Sequence, residues 1–208
     1  MGLIELFWWI NAGRGAAAAL KWIGVGRLLG WLLGARTGVV RASGFVFFPD
    51  RNAMNALRNL SEAIQGAKTV KMILVGGSKL IEEPTNVGNV TKVILPHPES
   101  LSISTYAVSV KDHGGLQEKI RTTTRLLQKK GIKVGWYKDM INHAIVIADP
   151  DRDSGWIQWE SVLPYVYVPE RPCVVVYKPR FEGLIASINA SFDQMFDASE
   201  LPPHKNDG

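Results

Sequence analysis

The sequence predicts an α/β fold, a mixed sheet flanked by helices and preceded by a hydrophobic helical segment, and three observations carry that prediction. Short runs rich in Val and Ile alternate with amphipathic stretches of helical period, the order that builds a sheet with helices packed on it. Residues 133–161 hold two apolar runs on either side of the polar turn Asp149-Pro150-Asp151, as two strands joined by turn chemistry would. Residues 3–40 have a different composition from everything that follows, and 208 residues suffice for one domain with a substantial core plus an appendage. The expected division is a Trp/Gly-rich segment over residues 1–43, an α/β domain over 44–197 and a disordered tail over 198–208.

Taken in order, residues 44–48 (GFVFF) read as a short strand or a plug, and Asp50 as the N-cap of a helix. Met54, Leu57, Leu60, Ala63 and Ile64 continue that helix at helical spacing until Gly66. Strands are expected over 69–75 and 90–95, with an alternating run over 101–110. Residues 116–130 form a strong helix, with Leu116, Ile120, Leu126 and Leu127 on one side and Gly131 as its cap. Strands follow over 132–137, 143–148, 162–168 and 173–177. A closing helix over 181–196 stacks Leu184, Ile188, Phe192 and Phe196 every four residues.

The N-terminal segment has the composition of chain that meets lipid. In a spanning helix each of its Leu, Ile and Val residues favours insertion by roughly 0.3–0.6 kcal/mol, while a mid-helix Lys or Arg opposes it by about 2.5–3.5 kcal/mol. Lys21 and Arg27 therefore cancel the apolar gain. A helix lying in the interface fits better, with Trp8, Trp9, Trp22 and Trp31 at headgroup depth and Arg14, Lys21, Arg27 and Arg36 on anionic headgroups. Gly26, Gly30, Gly34 and Gly38 recur every four residues, and a glycine ridge of that kind lets helices approach closely. Self-associating insertion and docking on a protein partner thus stand beside the interfacial reading. The first two place the chain at a membrane, with the globular domain expected on its cytoplasmic side, and the docking reading leaves it soluble.

The charge of +5 is spread along the chain, so nucleic acid is not indicated as a partner, and anionic lipid is at least as good a match. Cys173 is the single cysteine and excludes an intramolecular disulfide; its apolar run predicts a buried thiol. His97, His113, His143 and His204 lack the spacing of a metal site, and Gly76-Gly77-Ser78-Lys79 lacks the second half of a phosphate loop. The expectation is therefore no metal and no cofactor. His143, at the start of an apolar strand, is the one histidine with acidic company, and its ordinary reading is a hydrogen bond to Asp149, Asp151 or backbone.

The succession AMNALRNLSEAIQGAKTVKMILV, then LLQKKGIKVGWY, then a strand with His143 and Asp149, and finally a strand and the FDQMF helix, resembles one repeat of the phospholipase D superfamily over residues 45–197. The resemblance implies a His-x-Lys-x-x-x-x-Asp strand whose histidine attacks phosphorus and whose lysine holds phosphate oxygens. This chain departs from it in either register. With His143 as the histidine, Ile145 stands for the lysine and Pro150 for the acid. With Asp149 as the acid, Asn142 and Ala144 stand for the histidine and the lysine. Ser161 corresponds to the small or hydroxyl residue that follows the motif. Asn142, His143, Asp149 and Ser161 would together form a degenerate pocket, with His143 catalytic only in an active enzyme.

Loss of the cation argues against turnover, since such a group is worth on the order of a hundredfold or more in rate. The sequence thus points to a membrane-associated, non-catalytic, phospholipase-D-like binding or regulatory module that forms a homodimer or higher homo-oligomer. Two alternatives stand beside it. One is a homodimeric phosphodiesterase in which two chains each contribute His143. The other is a membrane-inserting effector acting through the glycine-ridged N-terminal helix.

Overall fold

The computed structural model describes residues 38–76, 87–109, 115–162, 166 and 168–203. The chain divides into two compact units, residues 1–41 and 42–208. Trp8, Trp9, Arg14, Lys21, Trp22, Arg27, Trp31 and Arg36, with Gly26, Gly30 and Gly34, lie outside the described residues, as do His113 and His204. Gly38 is described, and it corrects the expected ridge: its φ of 69° is a left-handed turn conformation and not part of a helix. Among the described residues no helix is long and apolar enough to cross a membrane.

Eight strands form one mixed sheet, ordered β1-β2-β8-β7-β6-β3-β4-β5. They are β1 (Val40–Ala42), β2 (Phe45–Phe48), β3 (Val70–Ile73), β4 (Val90–Pro96), β5 (Lys133–Tyr137), β6 (His143–Ala148), β7 (Trp156–Ser161) and β8 (Cys173–Tyr177). β3, β4 and β5 are parallel, whereas β6, β7 and β8 alternate in direction, so β2 and β7 run the same way as β3. The carboxyl ends of β2, β3, β4, β5 and β7 therefore share one edge with His143 and Cys173, the first residues of β6 and β8.

Side chains alternate between faces, and each face has its own core. Val70, Met72, Val93, Leu95, Val146 and Trp156 pack against α2 (Leu60–Gln65), α3 (Leu101–Ser109) and α4 (Gly115–Lys129). Ile73, Ile94, Ile147, Ile157 and Val176 pack against Ile185 and Phe192 of α5 (Lys178–Asp197). On that second face Lys71 and Lys92 hold Asp193 of α5 at 2.7 and 3.1 Å. The carboxyl of Asp193 is desolvated, which alone would raise its pKa, but the hydrogen bonds from the two ammoniums win and hold it below its ordinary value.

Five elements differ from the sequence reading. The helix after Asp50 is two helices, α1 (Arg51–Leu57) and α2. Asp50 does cap the first, accepting from the Ala53 amide at 2.7 Å, but Asn59 begins a second by accepting from the amides of Ser61 and Glu62. Its own Nδ2 donates to Glu62 Oε1 at 3.0 Å, which completes an exchange resembling a capping box. The run expected over 101–110 is helical over Leu101–Ser109: Ser100 Oγ accepts the Ile103 amide at 3.4 Å, and Ile103, Tyr106 and Ala107 are buried at helical spacing while Leu101 is 81% exposed. In α5 it is Ile185 and Phe192 that are buried, with Leu184 at 41% exposure. The expected strand after Ser161 is replaced, among the described residues, by a 3-10 turn at Val168–Glu170. The tail is ordered as far as the description extends, because Glu200 exchanges both backbone hydrogen bonds with Trp136 at 2.8 and 2.9 Å.

Candidate functional site

His143 and Ser161 are direct partners in the β6–β7 ladder, at the shared edge of the sheet. Residues opposite each other in a ladder lie on one face. His143, Ile145, Trp159 and Ser161 therefore point toward the α5 side, while Ala144 and Glu160 point the other way. His143 is half-buried, and its Nδ1 accepts the indole N–H of Trp159 at 2.8 Å, the rings meeting edge to face at 4.9 Å. That bond requires a neutral imidazole with its proton on Nε2. The expected acidic or backbone partner is replaced by an indole, because Trp159 is within reach only once β6 and β7 are paired. Asn142 is exposed, and its carbonyl accepts the Val162 amide at 2.8 Å.

Asp149 does not join this group. It ends β6 six residues on from His143, roughly 20 Å away at about 3.3 Å per residue. Its Oδ1 accepts the amides of Lys68 and Thr69, both at 2.9 Å. It is 5% exposed and has a φ of 45°, a left-handed conformation that aspartate tolerates better than most residues. Its work is to tie the end of β6 to the start of β3. Of the four expected pocket residues, the fold brings together Asn142, His143 and Ser161 and separates Asp149.

Desolvation holds the His143 pKa below its ordinary value. With the folded pKa below the unfolded one, the unfolded chain takes up a proton first as pH falls. The stability that His143 contributes is thus present above about pH 6.5 and is lost as pH drops through its folded pKa. Urea unfolding should show wild type losing more stability between pH 7.5 and 5 than His143→Phe does.

A second cluster lies on the opposite face at the same edge, and no local pattern in the sequence signals it. Glu160 on β7 is 3% exposed and pairs with Arg51 at 3.2 Å and Arg171 at 3.3 Å. Arg171 also donates to the Tyr106 hydroxyl, and Cys173 Sγ stands 3.9 Å from Glu160 Oε2. Burial, reinforced by the Glu160 charge, pushes the Cys173 thiol up to about 12, so the expected buried cysteine is also an unreactive one. His97, read from sequence as an exposed loop residue, is half-buried with its ring edge-on to Trp136 at 5.2 Å.

No protein-family model and no curated protein matches the sequence. Solved structures do resemble the fold. Nuc from Salmonella typhimurium, a phospholipase D family member, is similar at 12% identity and a TM-score of 0.46, over 69% of this chain and 88% of that one. TrmBL2, an archaeal chromatin protein described with a novel mode of DNA binding, is similar at 12% identity and a TM-score of 0.46, over 95% of this chain and 68% of that one. Neither likeness assigns a function to this chain, whose site is read from its own side chains.

Proposed function

We propose that the chain is a membrane-associated, phospholipase-D-like binding module that self-associates and does not hydrolyse phosphodiesters. The observation that carries the non-catalytic reading is the state of His143. Its Nδ1 is occupied by Trp159, and its strand offers Ala144 and Ile145 where a lysine would be needed. A phosphoryl group arriving there would meet no cation from β6 to stabilise the charge that develops in transfer. Self-association is supported by the surroundings of His143, where Phe47, Ile145, Trp159 and Val174 are only half-buried on the same side of the sheet. Membrane attachment is supported by the composition of residues 3–40.

Two measurements test the reading. A chromogenic phosphodiester incubated with wild type and His143→Ala should show no turnover above background in either, and the variant should lose about 1 kcal/mol of stability with its indole bond. Activity in wild type that His143→Ala abolishes would make the chain an enzyme. In flotation assays the protein should follow anionic vesicles more strongly than neutral ones, and the difference should shrink as salt rises. Equal binding to both at every salt concentration would remove the headgroup contacts from the proposal.

A further inference from the structure

β5 ends the sheet, and among the described residues one short length of chain covers its outer edge. After α5 that length crosses the edge from one helical layer to the other. Ser199 stands on the α5 side, its Oγ donating to the Met195 carbonyl at 2.7 Å, while the Pro202 carbonyl accepts from Gln128 of α4 at 3.4 Å. Between them Glu200 exchanges its backbone hydrogen bonds with Trp136 at 2.8 and 2.9 Å. Residues 199–203 thus form a strap, and the β5 edge is its seat.

The seat is selective for this segment. Gly135 admits Ser199, because a Cβ at Gly135 would lie 2.7 Å from Ser199 Cβ. Lys138 and His97 face the Glu200 carboxylate at 3.1 and 3.8 Å. The next ladder position of the strap after Glu200 is Pro202, which has no N–H to donate, so the pairing stops after one residue. A small residue, an acid and a proline in this order match three features of one strand edge.

The strap is also lightly tied to its own chain. Glu200 is its one ladder residue, and the ion pair to Lys138 joins groups 49% and 72% exposed, a setting in which such pairs contribute little. Only Ala198 and Ser199 separate Glu200 from Asp197, the last residue of α5. Connections this short invite exchange between copies, because a hinge that straightens carries the strap off its own edge and the same contacts are remade on the edge of a second copy. No strap contact is gained or lost in that exchange, so protein concentration sets the balance.

We propose that two copies of the chain exchange residues 199–203, each strap seated on the β5 edge of the other copy in a two-fold dimer. This rests on the self-association proposed above and gives it a contact separate from the surroundings of His143, which lie on β2, β6, β7 and β8.

Two variants of the full chain in mild non-ionic detergent test it, Gly135→Cys in the seat and Ser199→Cys in the strap, with a size tag on one of them. Cys173 is buried and stays out of the reaction. Bridged Cβ atoms lie about 3.5–4.5 Å apart, so a shift of about 1 Å brings the two positions into disulfide geometry. Mixed, incubated and oxidised, the variants should give a covalent dimer holding one chain of each, in a share that rises with total concentration. No such dimer in the mixture would mean that each strap stays on its own chain and would overturn the proposal. A covalent dimer of Gly135→Cys alone would mean that β5 edges pair directly, which overturns it too. Glu200→Pro leaves Gly135 intact and gives a second readout. It removes the amide that donates to Trp136 in both copies, so in sedimentation it should dimerise at least about tenfold more weakly than wild type. Equal dimerisation of the two would overturn the exchange and leave self-association around His143 standing.

Discussion

Glu160→Ala should be among the most damaging single substitutions in this protein, costing about 3–5 kcal/mol, because it leaves two guanidiniums beside the core without their carboxylate. Arg171 makes the cost high: its side chain is 4% exposed, so water cannot replace the lost partner. Arg51, at 16%, can turn partly toward solvent, and Arg51→Ala should cost less than Glu160→Ala. Glu160→Gln keeps the shape and one acceptor oxygen and should fall between wild type and alanine. Urea unfolding of the four proteins gives this ranking directly. A Glu160→Ala protein within about 1 kcal/mol of wild type would mean that the pair is solvated, as exposed ion pairs are.

What could be read from the sequence follows the distance over which each feature is determined. β6 and β8 carry their strand character in consecutive residues, His143–Ala148 and Cys173–Tyr177, and were found with those bounds. Asp50 and Gly131 act on their immediate neighbours, and both capping roles were legible. The break at Asn59 was also local, since Asn59 and Glu62 have the spacing of a capping box, but the apolar spacing from Met54 to Ile64 ran across it and hid it. In α3 the alternation of Leu101, Ile103 and later residues imitated a strand, and the burial of Tyr106 and Ala107 beside Ile103 decided for a helix. The sites were the least legible part. Trp159 finds His143 across 16 residues, and Arg51 finds Glu160 across 109. No local pattern encodes such pairs, because strand register and side chains of α1 that reach β7 create them.

Asp149 gives the sharpest separation of a structural from a catalytic acid. Asp149→Ala should destabilise the fold by about 3–5 kcal/mol, since it strands the Lys68 and Thr69 amides and forces alanine into a left-handed conformation. The burial of Asp149 leaves little water to take over those amides. Its contact with Arg152, at 3.9 Å and half exposed, adds little by comparison. Asp149→Asn keeps the Oδ1 acceptor and tolerates a φ of 45°, so it should stay within about 1 kcal/mol of wild type. An acid acting through its charge would show the opposite pattern, with asparagine as damaging as alanine. Urea unfolding of the two variants side by side decides it: equal losses would show that the charge of Asp149, rather than its acceptor oxygen, is what β3 and β6 require.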